Sequence, residues 1–327
     1  VVVAAVVVAA VPVAANAAGG DRGDAVVVAN RASGDVSVIE TDSLDVETID
    51  LPGDAEPMYV SHDRRHHLVL VGDRASSSIV ALDDETYDVV GSVDVGDGVF
   101  HQWLDEQRRQ LWVVGDTSRT VTVVDSGHLQ PVASIDIPAD LVNAGGFPHD
   151  VFVSGRHAFV SILGLGGSGV VLQYSTHTLE ETGRILTGAD PHLFVRSGRL
   201  YVASQGGSAV SSYLAGTLAP LGAVDVPNAH GIFVTNHGEV LVTNIAGGGV
   251  DAIWELDRRL TEVVDVVDTP VPIPHNLTVD RDRHAYVTHS GATADSVSVI
   301  DLDQDGFGSV ATVTVGTNPF GLAFVRD

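Results

Sequence analysis

The sequence predicts an all-β protein, specifically a seven-bladed β-propeller with four antiparallel strands per blade, closed by a blade split between the two ends of the chain. Three observations lead there. Beyond residue 24 the chain is a run of short Val-, Ile-, Leu- and Tyr-rich segments separated by Gly, Asp, Asn and Ser, with no sustained helical period. These segments recur at a spacing of about 45 residues, as a propeller blade requires. Finally, the chain begins with three strands that lack a first and ends on a first strand that lacks the other three.

In chain order, residues 1–15 carry no charge and are followed by small residues up to Gly20. Residues 1–20 therefore read as a signal-peptide-like segment, too short and alanine-rich for a membrane span. The propeller is expected over 24–327 as one domain. AVVVAN, DVSVIE and VETIDL supply the second, third and fourth strands of the split blade. Six strand–turn–strand segments follow: PMYVSHDRRHHLVLVGD, VFHQWLDEQRRQLWVVGD, FPHDVFVSGRHAFVS, DPHLFVRSGRLYVAS, NAHGIFVTNHGEVLVTN and IPHNLTVDRDRHAYVTH. Each leads into a third strand such as RTVTVVD and a fourth such as PVASIDI. NPFGLAF then returns the chain to its start, which removes exposed sheet edges.

Composition bounds the function. Forty-three acidic residues face seventeen basic ones, all arginine, for a net charge of −26. Such an excess repels nucleic acid and anionic lipid and keeps a surface hydrated when salt screens the repulsion. The reading is a secreted protein of a halophile, located outside the cell, on its surface or in a periplasm-equivalent space, and expected to be a monomer. Cysteine is absent, so there is neither a disulfide nor a thiolate ligand.

The pieces LVTN, YVTH, YVAS, VSVID and VTVVD resemble the YVTN family of β-propeller repeat proteins over nearly the whole chain. The resemblance implies the fold and leaves function open, because that family is catalytically diverse.

Alignment of the first strands places Met58, His101, His149, His192, His230, His275 and Phe320 at one equivalent position, with spacings of 43, 48, 43, 38, 45 and 45. First strands line a propeller's central channel, so five of the fourteen histidines are expected in a ring at one mouth. The ends of the second strands should add a polar rank of Asp73, Asp116, Gln205, Asn244 and His289. Imidazole nitrogens suit copper and zinc, and neighbouring carboxylates and amides would orient their outer nitrogens. Met58 would contribute a soft thioether and His289 a further imidazole. The alternative is channel packing, with the rings hydrogen-bonded to neighbouring loops. The ring is similar in placement to the histidines of nitrous oxide reductase and of propeller zinc metallochaperones. It departs from the first in lacking a cupredoxin domain and cysteine, and from the second in lacking a His-rich N-terminal motif.

The functional expectation is an exported protein holding copper or zinc at the channel mouth, for storage, delivery or redox chemistry. Two alternatives stand beside it: a metal-dependent hydrolase of lactonase type, and a metal-free cell-surface scaffold using a propeller face to bind a protein partner. The expected ligand is a metal ion or small molecule in the channel, and no nucleic acid.

Other signals are weaker. His67, His157 and His284, with His66 and His237 near them, align at hairpin turns on the opposite face. Residues 301–306 open like an EF-hand loop, yet position twelve is Thr312 in place of glutamate. The glycine-rich stretch 164–169 has dinucleotide-loop spacing with no helix after it. Asn276 heads a glycosylation sequon that a channel strand would bury.

Overall fold

The computed structural model describes residues 23–245, 251–303 and 307–326. The signal-peptide-like segment and part of the EF-hand-like turn lie outside the described residues. The described chain forms seven four-stranded antiparallel sheets arranged as a propeller. Six blades are contiguous, at 57–94, 99–136, 147–188, 191–225, 229–268 and 274–314, and are numbered one to six. Blade seven is the split one: Pro319–Val325 is its inner strand, paired with Ala25–Asn30 in the register Ala25 to Val325 and Asn30 to Pro319. The single described helix, Ala139–Asn143, joins blades two and three.

The strand sequences explain the layering. Middle strands such as Val-rich Thr120–Asp125 are buried on both faces against adjacent blades, so they read as continuous apolar runs. Outer strands such as Glu181–Gly188 alternate between partial burial and exposure, leaving Leu186 77% exposed at the rim. The apolar clusters straddle blade boundaries. One joins Phe159 of blade three, Tyr201 of blade four and Leu256 of blade five, and another joins Val27 of blade seven to Val69 of blade one. Each blade thus buries its faces only against its neighbours, which makes ring closure a condition of a complete core.

The inner strands share one irregularity that decides the site. In six blades a β-bulge sets two inner-strand residues opposite one residue of the second strand: Met58 and Tyr59, Phe100 and His101, His149 and Asp150, His230 and Gly231, His275 and Asn276, and Phe320 and Gly321. Blade four alone keeps regular pairing, with His192 opposite Ala203. In three blades the opposed residue is Ser161, Thr243 or Thr288, whose hydroxyl accepts the N–H of the second bulge residue at 3.0, 2.9 and 3.1 Å. The hydroxyl thereby satisfies a backbone donor that the ladder has lost.

Candidate functional site

The bulges produce two tiers at one end of the channel. The first bulge position, with His192, gives Met58, Phe100, His149, His192, His230, His275 and Phe320. The second gives Tyr59, His101, Asp150, Gly231, Asn276 and Gly321. The sequence alignment needs one correction here. Phe100, not His101, is the equivalent of Met58, and His101 sits one register step further along beside Tyr59. Matching imidazole to imidazole hid the shift, because strand register is set by the ladder and not by side-chain identity.

All five histidines nevertheless meet. Ring centroids lie 5.2 Å apart for His101 and His149, 4.9 Å for His149 and His192, 3.8 Å for His192 and His230, and 4.7 Å for His230 and His275. Four of the rings are buried, and His149 is nearly so.

Partners set the tautomers. His101 donates its Nδ1–H to Asp150 at 3.0 Å, and His230 donates its Nδ1–H to Gln205 Oε1 at 3.1 Å. In both rings Nε2 is left with the lone pair. The Nε2 atoms of His101, His149, His192 and His230 are buried with no hydrogen-bond partner among the described residues, as is Oδ1 of Asp190. Asp190 holds a left-handed backbone conformation (φ 56°) and brings Oδ1 to 3.4 Å from His192 Nε2 and 3.6 Å from His149 Nε2. Two donor sets result, His101 with His149 and His192, and Asp190 with His192 and His230, each with its ligand atoms within 4.8 Å of one another. His275 differs, since Asn276 Nδ2 lies 3.1 Å from its Nδ1 and it also hydrogen-bonds the Phe320 backbone.

Burial disfavours the charged form of four of these rings, His101, His149, His230 and His275. Desolvation, then repulsion from His192 and His101, sets His149 well below the usual histidine range, and desolvation followed by His192 and His275 does the same for His230. Burial lowers His101 too, although Asp150 opposes it. Burial takes His275 down to about 3. Asp150 stays below its ordinary value because, against the upward push of burial, His101 and the Leu193 N–H stabilise its charge. Imidazoles so disfavoured as cations can bind a metal ion without first losing protons.

The remaining expected site residues are placed as follows. Met58 is fully buried with Tyr59 and Phe320 in an apolar cluster at the far side of the ring. Gln205 does orient a ring, that of His230. Asp73 instead accepts from the Glu56 and Ala75 N–H groups and from Ser76, closing a loop. Asp116 forms a two-pronged ion pair with Arg74 at 2.9 and 3.0 Å. Asn244 accepts the Ala252 N–H at 2.8 Å. His289 is not free to bind a metal: Nδ1 contacts the Pro272 carbonyl at 3.0 Å and Nε2 contacts Ser298 Oγ at 2.8 Å.

Sequence reasoning missed Asp150, Asp190 and Asn276, which touch the rings. In a regular strand the residue after a histidine points to the opposite face, which hid Asp150 and Asn276, and Asp190 lies just before its strand. The pairs His149-Asp150 and His275-Asn276, and Asp190-Pro191-His192, were the available signal.

The other motifs resolve simply. Residues 164–167 form the turn between His157–Leu163 and Ser168–Ser175, and 168–169 begin the second strand, so no helix follows the glycines. His67 is 68% exposed at its hairpin turn and His284 pairs with Asp280, at the ends of the inner strands remote from the cluster. Asn276 of the sequon is half-buried, its amide donating to Tyr59 Oη and the Phe320 carbonyl.

The fold and site together define a propeller with a convergent imidazole cluster. No protein-family model and no curated protein matches the chain. Solved structures match in fold alone. A functionally unknown protein from Desulfotomaculum acetoxidans is 14% identical, with a TM-score of 0.74 over 93% of this chain and 99% of its own. A putative 6-phosphogluconolactonase from Bacteroides fragilis is 16% identical, with a TM-score of 0.71 over 93% and 98%. The dihydro-haem d1 dehydrogenase NirN, solved in complex with DHE, is 13% identical, with a TM-score of 0.65 over 96% and 77%.

Proposed function

We propose that this chain is an exported propeller that binds a transition-metal ion, copper or zinc, between His101, His149 and His192, with Asp190 and His230 as the adjoining donors. The observation that supports it is the convergence of four buried, partnerless Nε2 atoms. Leaving one buried polar atom unpaired costs about 1–3 kcal/mol, so four converging together favour a bound partner that the chain itself does not supply. Zinc–nitrogen bonds of about 2.0–2.1 Å put tetrahedral ligands roughly 3.4 Å apart. A set within 4.8 Å closes to that by small ring rotations. Asp150 and Gln205, bonded to the outer nitrogens of His101 and His230, are the orienting groups such a site requires. The net charge of −26 and the apolar start of the chain support export into a salty medium.

A second reading, a metal-dependent hydrolytic or redox centre, is favoured by a cavity of about 480 Å³ in the channel that reaches His101 and His192. A cavity on one side of the ion is where an open coordination position would lie.

Metal analysis of protein purified without chelator tests the proposal. The expected result is about one equivalent of copper or zinc, with a melting temperature that rises on metal addition. No retained metal together with no rise in melting temperature overturns it.

A further inference from the structure

The cavity that ends at the histidines has an asymmetric wall. One register step past the bulge-closing residue, or past Leu193 in the regular blade four, the inner strands present Trp103, Phe152, Phe194 and Phe233 on four consecutive blades, and Ser61, Thr278 and Ala323 on the other three. The aromatic residues form a continuous arc: Trp103 stacks on Phe152 at 3.6 Å, Phe152 meets Phe194 at 4.9 Å, and Phe194 meets Phe233 at 5.1 Å. Small side chains on the facing arc leave the space that makes the cavity, which starts at exposed Arg64, Glu106 and Arg326 and ends at buried His101, Asp150 and His192. A volume of about 480 Å³ falls in the range of small-molecule sites. Seven evenly filled positions would have packed the channel shut. An arc of four aromatics against three small residues builds a slot with one aromatic wall of tilted rings.

We infer that the channel is a binding slot for a flat aromatic or fused-ring molecule carrying a single carboxylate, whose ring system lies on the arc and whose carboxylate reaches the ion at the floor. This rests on the metal-binding proposal, which supplies the ion at the floor. Without an ion the carboxylate would face the buried Asp150 carboxylate, which repels it. A bound ion offers the carboxylate a ligand position at the floor, so carboxylate affinity depends on metal while ring affinity does not. The aromatic faces give the ring system offset or edge contacts along the slot.

The experiment titrates 2-naphthoate and naphthalene, separately, into zinc-loaded and chelator-treated protein by calorimetry, with metal content measured in each sample. Naphthalene should bind both forms alike. 2-Naphthoate should bind the loaded form at least about tenfold more tightly than the chelated one. Phe233→Ala should weaken both ligands at least about tenfold by removing buried aromatic surface, and Ala323→Leu, which narrows the slot, should weaken them without changing metal content. Thermal melts confirm that each variant is folded. Zinc-loaded protein that binds neither ligand overturns the inference and leaves the metal proposal standing. Naphthoate that binds the two forms equally overturns the role of the floor. Protein that takes up no zinc and binds naphthalene alone shows that the metal proposal failed, and the carboxylate assignment with it.

Discussion

Asp150 of blade three accepts the Nδ1–H of His101 from blade two at 3.0 Å, and its second oxygen accepts the Leu193 N–H of blade four at 2.7 Å. One carboxylate thus ties three blades at the channel floor and determines which nitrogen of His101 is free.

Asp150→Asn follows directly. An amide has one acceptor where two N–H groups need one each, so one donor ends against an NH₂. Stability should fall by about 1–3 kcal/mol, read from urea unfolding. Metal affinity should fall about 10- to 100-fold, read by competition with a chromogenic chelator.

His192 belongs to both donor sets. His192→Ala should therefore lower metal affinity at least about 100-fold, beyond the range of an orienting residue. A His157→Ala, His284→Ala double variant, altered only at the opposite-face turns, should keep the wild-type metal content. Equal losses in the two proteins would refute the assignment of the site.

The metal-free protein should be acid-labile. Burial takes His289 to about 4, below the ordinary 6.5, so the unfolded chain binds a proton that the folded chain refuses between those values. Stability is then complete above pH 6.5 and declines as the pH falls towards 4, by about 1.4 kcal/mol per pH unit for each such histidine. His275, at about 3, extends the decline further. In His289→Gln, unfolding measured across pH 4–6.5 should show a slope shallower by one proton.

Gly231 holds the second bulge position of blade five for lack of room. A Cβ there would sit 2.2 Å from the His275 carbonyl oxygen and 2.9 Å from Thr243 Oγ1. Gly231→Ala should cost about 1–3 kcal/mol as overpacking, seen as a lowered melting temperature. Gly216→Ala, with nothing near its Cβ, is the control.

The propeller was legible because each blade repeats its own local instructions: an apolar inner pair, a polar turn, a VSVID-like strand. The split blade was legible from complementary fragments such as AVVVAN and NPFGLAF. What stayed hidden depends on the bulges. An inserted residue turns two neighbours, His149 and Asp150, towards one site, whereas an alternating pattern assigns them to opposite faces. The same bulge lets His101, one step along from its apparent equivalents, still meet the other rings. Asp73, Asp116 and Asn244 were expected beside the rings because they end second strands, yet those ends turn into loops whose free N–H groups and Arg74 claim them first.

The split blade also sets how the ring would respond to force. Ala25 pairs with Val325, so the outward-leading ends of the two joined strands lie side by side at the same edge of the sheet. A pull applied through them loads the ladder one rung at a time, from Ala25–Val325 towards Asn30–Pro319, and peels it like a zipper instead of shearing all rungs together. The seam is therefore the mechanical weak line of the propeller, and tension on it frees Phe320 and the floor of the channel before any other blade is touched.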